Sequence, residues 1–233
     1  MHFVTPTEIT NVAWEGELVT PAVSMTPKGA HSVVAALGHP EIWPAARALE
    51  AEVGRKWTPP LGGADFWLLR LACTLREPAG RPALVGAEQR LFLRPRNAAA
   101  GEGATYAYSL FPERLGVEDK AEWSAKLGPE LKFASGAGAS LGEIGATVEF
   151  RKVYPVIQAY GAGQPGPWWE FKAHPAHPLA GCQFVYAVVA ARTGAGGIRA
   201  SVELIATVET TWAGVLRLGL PDEARAYLSF SIP

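Results

Sequence analysis

Between Gly197 and Glu209 the chain reads GIRASVELIATVE, an alternation with the period of a β-strand and not of a helix. Successive side chains of a strand point to opposite faces. Ile198, Ala200, Val202, Leu204, Ala206 and Val208 therefore share one face, and Arg199, Ser201, Glu203, Thr207 and Glu209 share the other. Ile205 is the one exception. A strand that is apolar on one side and hydrophilic on the other is half-buried, and it needs antiparallel neighbours of the same kind.

Other segments supply those neighbours. Trp67, Leu69, Leu71, Cys73 and Leu75 alternate with Phe66, Leu68, Arg70, Ala72, Thr74 and Arg76, so the first half of this strand is apolar on both faces. Such a strand belongs inside a sheet or beneath a covering element. After a turn at Pro78–Pro82 a second alternating run, Leu84–Arg94, is expected to return as its hairpin partner. Shorter strands are expected over 105–110, 131–134, 143–154, 168–171, 183–192, 215–220 and 227–232. Together they predict a mainly β protein: an antiparallel two-layer β-sandwich of roughly seven to ten strands. The alternative is an α+β fold with one curved antiparallel sheet. The two differ in whether a second sheet covers the face carrying Val202 and Leu204.

Two regions read as helix. Val33, Val34 and Leu37, then Ile42, Trp43, Ala46 and Leu49, predict one or two short helices within 31–56, broken at Gly38-His39-Pro40. A connecting helix is expected over 112–126, anchored by Val117, Trp123 and Leu127. Residues 1–30 lack sustained periodicity and read as an extended arm with a short strand near Val12–Leu18. At 233 residues, the remainder, 31–233, is read as a single domain.

Hydrophobic residues make up 48% of the chain and charged residues 18%, which favours a compact core over disorder. The formal net charge of −1 comes without a run of Lys or Arg, so nucleic acid is a poor partner. The N-terminus lacks the basic start and apolar run of a signal peptide, and a cytoplasmic location is expected. Cys73 and Cys182 are too few for a disulfide scaffold. Each is expected to be a buried thiol on an inward strand face, an inter-sheet bridge being the alternative.

Chemical motifs are weak. Gly138-Ala139-Ser140-Leu141-Gly142 matches a nucleophile elbow, but a strand is expected after it where that motif needs a helix, so Ser140 reads as a turn residue. His174 and His177 form H-x-x-H, the beginning of a zinc site, yet two prolines spoil a helical scaffold and a third ligand is not evident. No catalytic residue and no cofactor are assigned. A metal-dependent hydrolase using His174 and His177 stays as an alternative.

The most informative surface candidate is aromatic. Tyr160, Trp168, Trp169 and Phe171 flank the loop Gly161–Pro167, and adjacent tryptophans on a strand must face opposite ways. One indole is expected in the core and the other outside, where it can anchor a protein or stack on a sugar. The resulting expectation is a non-enzymatic, soluble binding or accessory module acting through protein–protein contact or self-association. Because a membrane β-barrel alternates as a soluble sandwich does, a pore-forming protein and an aromatic-platform glycan binder are the further alternatives, with membrane insertion ranked behind protein contact.

Overall fold

The computed structural model describes residues 11–19, 33–52, 55–58, 62–76, 84–115, 122–123, 132–133, 148–149, 156–174, 179–210, 214–222, 224 and 228–233. Two antiparallel sheets account for most of them. In chain order their strands are β1 (Val12–Glu17), β2 (Val34–Gly38), β3 (Glu41–Pro44), β4 (Ala64–Arg76), β5 (Leu84–Pro95), β6 (Thr105–Phe111) and β7 (Arg114–Leu115). There follow β8 (Val156–Tyr160), β9 (Trp168–Lys172), β10 (Gly181–Arg192), β11 (Ile198–Thr210), β12 (Gly214–Gly219) and β13 (Ser229–Ile232). The first sheet runs β1-β2-β4-β10-β6, with β3 also on β4; the second runs β12-β11-β5-β9-β8-β7, with β13 also on β11.

The sandwich is therefore present, and its inner faces match the alternation. Ile198, Ala200, Val202, Leu204, Ala206 and Val208 are all buried, in one core cluster with Leu69, Leu71, Leu75, Val185 and Val189 of the first sheet. A second sheet thus covers Val202 and Leu204, which rules out the single curved sheet.

Two bridges stitch the layers together along opposite sides. Val19, just past β1, exchanges both backbone hydrogen bonds with Gly219 of β12, each 2.8 Å long. On the other side Gly163 donates to Ala107 of β6 (2.7 Å), and Ala107 donates to Gln164 (3.0 Å). These bonds occupy backbone groups at sheet edges that would otherwise be open to another strand.

Three expectations about elements and their pairing need correction. Strands β4 and β5 do not form a hairpin: β4 pairs with β2, β3 and β10, whereas β5 pairs with β9 and β11 in the other sheet. A strand apolar on both faces is best placed in the layer that is covered on both sides. The chain likewise crosses between sheets from β10 to β11, and Gly197 makes that crossing with φ of +96°; a Cβ there would lie 2.8 Å from the carbonyl oxygen of Ile232.

The second correction concerns 31–56. The only α-helix described there is one turn, α1 (Ala45–Ala48), and the runs expected to be helical are β2 and β3. Both lie along the same side of β4, with Leu37 opposite Cys73 and Ile42 opposite Leu69. Short apolar runs fit either period, and here a long strand with open backbone groups decides the outcome. Pro40, which has no N–H to give a ladder, falls in the gap between the two strands. The third concerns 112–126, where Arg114–Leu115 and Glu122–Trp123 are extended and not helical.

The outer face of the first sheet carries a smaller core of its own. Phe66, Leu68, Tyr186, Val188 and Ala190 pack against Ala45, Ala48, Leu49 and Trp57. Cys73 lies in the sandwich core as expected, but Cys182, expected buried on an inward face, shares the phase of Tyr186 on this outer side and is only half-buried; the two free thiols occupy opposite faces of one sheet and form no bridge. Burial raises the pKa of both, partly offset at Cys182 by a hydrogen bond with Thr74 and by the charge of Arg70.

Arg70 is the charged residue of this outer core. Its side chain is 10% exposed, its Nε donates to Oε1 of Glu41 at 2.9 Å with Nη2 on the same oxygen, and its guanidinium lies over the rings of Trp43 (5.7 Å) and Phe184 (5.6 Å). Beside it burial pushes the Tyr186 phenol up to about 12, an effect that the charge and hydrogen bond of Arg70 only moderate. A phenol that resists ionisation when folded stabilises the fold fully below its ordinary pKa of 10.0, and that contribution is lost as pH rises toward 12. Urea unfolding should therefore show stability declining between these values, with a shallower decline in Tyr186→Phe. An equal slope in both proteins would show that Tyr186 does not control it.

Candidate functional site

The candidate surface grows out of the β8–β9 hairpin. Its loop is fixed by local chemistry: Gly161 adopts φ of +81°, and a Cβ there would lie 3.0 Å from Cα of Pro167. Gln164 N–H closes a turn onto the Gly161 carbonyl at 3.0 Å, while Leu91 and Leu93 of β5 donate to Pro167 and Pro165. With the bonds to Ala107, the loop is held by both sheets. It is a structural strap, and the residues at its two ends are positioned accordingly.

Those residues are Tyr160 and Trp168, directly opposite each other in the ladder. Their rings stack with centroids 5.0 Å apart and planes 17° from parallel. Tyr160 is 38% exposed and Trp168 is half-buried. The next residue takes the other side: Trp169 is fully buried, as is Phe171 two positions on. Of the four aromatic candidates, Tyr160 and Trp168 face outward, whereas Trp169 and Phe171 belong to the sandwich core and present nothing to a partner. Phe171 falls in the phase of Trp169, and that sequence signal separates the pair.

Around the stacked rings the outer face of the second sheet is a lattice of mixed charge. The Tyr160 hydroxyl reaches Oε2 of Glu170 at 3.2 Å, and Lys172 Nζ lies 3.6 Å from the other oxygen of Glu170. Across the ladder from Trp168 stands Arg90, which donates to Glu88 through Nε (3.0 Å) and Nη2 (2.6 Å); Arg217 donates to the second oxygen of Glu88 at 2.5 Å. Glu203 is the next residue in that row. Phe92, 39% exposed, extends the apolar part beyond Arg90, and Val215, 65% exposed, stands on β12. Arg90, Glu88 and Phe92 were not singled out from sequence, although their phase opposite Leu91 and Leu93 places them on this face.

The other chemical candidates gather no site. His174 is exposed just beyond β9, and His177 and Ser140 lie outside the described residues. Among the described residues, no group of three or more His, Cys, Asp and Glu is placed to hold a metal ion, and the hydrolase reading gains no support.

No protein-family model matches the chain, and no curated protein matches it. Among solved structures, the chain is similar to one titled "Pore forming protein", at 6% identity and a TM-score of 0.37, over 88% of this chain and 90% of that chain. It is similar to the Clostridium perfringens NetB toxin in its membrane-inserted form, at 7% identity and a TM-score of 0.34, over 88% and 91%. It is also similar to ACE19, the collagen-binding subdomain of the Enterococcus faecalis surface protein ACE, at 9% identity and a TM-score of 0.28, over 70% and 88%. Likeness at this level carries no function to the chain.

Proposed function

We propose that this chain is a non-enzymatic binding module that docks another protein on the outer face of its second sheet, with Trp168 as anchor and Tyr160 beside it. The observation that carries the reading is the split of the tandem indoles: Trp169 completes the core, and Trp168 stands outside it against an exposed tyrosine. Tryptophan and tyrosine bring a large contact area at little cost in side-chain entropy, which is why interface hot spots favour them. Interspersed Glu and Arg supply a polar rim without a dominant sign, in keeping with the net charge of −1. Because the rings stack on each other, one face of each is already covered. That arrangement suits insertion into a protein pocket better than service as a flat sugar platform.

Trp168→Ala should leave the fold intact while weakening binding by about 2 kcal/mol or more. The partner is first isolated by crosslinking and co-purification from the native host, and self-association is measured by sedimentation. Titration of the purified partner, or a concentration series if the partner is a second copy, then gives the loss. Undiminished affinity in Trp168→Ala and in Tyr160→Ala would remove this face as the docking site.

A further inference from the structure

The ladders of the second sheet set its outward side chains in rows that run across the strands. One row holds Tyr160, Trp168, Arg90 and Glu203, the aromatic end of the docking face. The next holds Phe92, Ser201 and Ser229, and the one beyond it Arg94, Arg199 and Ser231. Arg94 and Arg199 thus stand directly opposite each other, and both are exposed. Arg94 follows Arg90 by four residues on β5, so the arginine row lies about 13 Å from the row of Trp168.

Two like charges in register on neighbouring strands repel each other. Among the described residues, no carboxylate pairs with Arg94 or Arg199. Nearer the aromatic row the cations are matched: Arg90 and Arg217 share Glu88, and Lys172 lies beside Glu170. Around the two arginines stand Ser201 and Ser231, short side chains that bring hydroxyl groups, and Phe92, which is 39% exposed. The mixed charge of the face therefore gives way at this end to a row of unmatched positive charge.

Resting on the docking reading above, we propose that Arg94 and Arg199 form an acid-binding subsite of that face: the partner is a protein whose acidic side chain meets the two guanidinium groups while an apolar residue of the same segment sits at Trp168. A guanidinium carries only donors, in a fork that matches a carboxylate, and two forks in register can hold one carboxylate or two neighbouring ones. An extended segment presents every second residue to one side, so positions four apart span the distance between the rows. Phe92 lies between the rows and adds apolar contact along the way. A uniformly negative partner fits less well, because Glu88, Glu170 and Glu203 would meet it on the same face. Binding an acid at one place relieves the repulsion that the free protein carries.

The test selects peptides from a displayed random library on the full chain, then titrates the recovered peptides, made synthetically, into wild-type protein and variants. They should carry an aromatic or long aliphatic residue with Asp or Glu four positions away. Arg94→Glu and Arg199→Ser should each raise their Kd by roughly tenfold or more. Added NaCl should weaken binding to the wild type more steeply than binding to either variant. Arg94→Glu also controls for folding: it sets an acid opposite Arg199, so its Tm should match or exceed that of the wild type, and a loss of affinity there is not a loss of structure. Trp168→Ala separates this subsite from the docking reading. Peptides that need Trp168 but carry no acid, and bind Arg94→Glu as tightly as wild type, would overturn the subsite and leave the docking face standing. Acidic peptides weakened by Arg94→Glu but not by Trp168→Ala would support the subsite and withdraw the anchor. Recovery of no peptide that these variants weaken would overturn both.

Discussion

Trp169→Ala is expected to lower the unfolding free energy by about 3–5 kcal/mol, the range for truncating a fully buried large aromatic side chain. Trp169 has no exposed surface, and it packs in the cluster that joins the two sheets. Among the described residues its indole Nε1 meets no hydrogen-bond partner, and neither polar atom of Gln89, the residue across the ladder, meets one. The indole therefore contributes through its volume and apolar area, and Trp169→Phe should lose much less than Trp169→Ala. Trp168→Ala, one residue away on the outer face, should stay within about 1 kcal/mol of wild type. Urea denaturation of the three variants checks the order. Equal severe losses at both tryptophans would make the aromatic pair a structural plug and withdraw Trp168 as an anchor.

The second large effect is expected at Arg70, where Arg70→Ala should cost about 2–4 kcal/mol. Four contacts disappear together: the ion pair with Glu41, the guanidinium placements over Trp43 and Phe184, and the hydrogen bond with Tyr186. The lower part of the range applies because Glu41, with its side chain 35% exposed, can regain water when its partner is removed. Arg70→Lys should recover only part of the loss, since an ammonium cannot present a planar group to both rings. If Arg70→Ala and the double variant with Glu41→Gln are equally stable, the carboxylate contributes nothing beyond its pairing. A loss below about 0.5 kcal/mol for Arg70→Ala would mean that this cluster does not stabilise the outer core.

The faces of long strands were legible in the chain; their partners were not. The period of two from Ile198 to Val208 placed every inward residue correctly, because a one-residue slip would turn all of them toward solvent. Period says nothing about which sheet a strand joins. The turn after β4 reads as a hairpin, yet there, as after β10, the chain crosses between layers. The apolar outer face of β4, with Phe66 and Leu68, was the visible sign that this strand needed cover on both sides. Residues 34–44 misled because a few apolar residues fit a helix as well as a strand, and the deciding factor, the free side of β4, lies far along the chain. At the candidate surface the tandem tryptophans were conspicuous, whereas Arg70 and Glu41 carried no local signal. Their meeting depends on a pairing between β3 and β4 that only the fold creates.

The pairing of β4 with β10 also bears on how this protein reaches its structure. Leu75 lies opposite Gly181 and Ala64 opposite Arg192, so the central ladder joins segments roughly a hundred residues apart, a topology that folds slowly because chain entropy is spent before contacts reward it. The stretch of chain between β7 and β8 lies wholly inside that loop. The entropy of closing a long loop grows only with the logarithm of its length, so that stretch can be lengthened, shortened or recomposed with little effect on the central ladder. The sandwich and the sequence between β7 and β8 are thus free to change at separate rates.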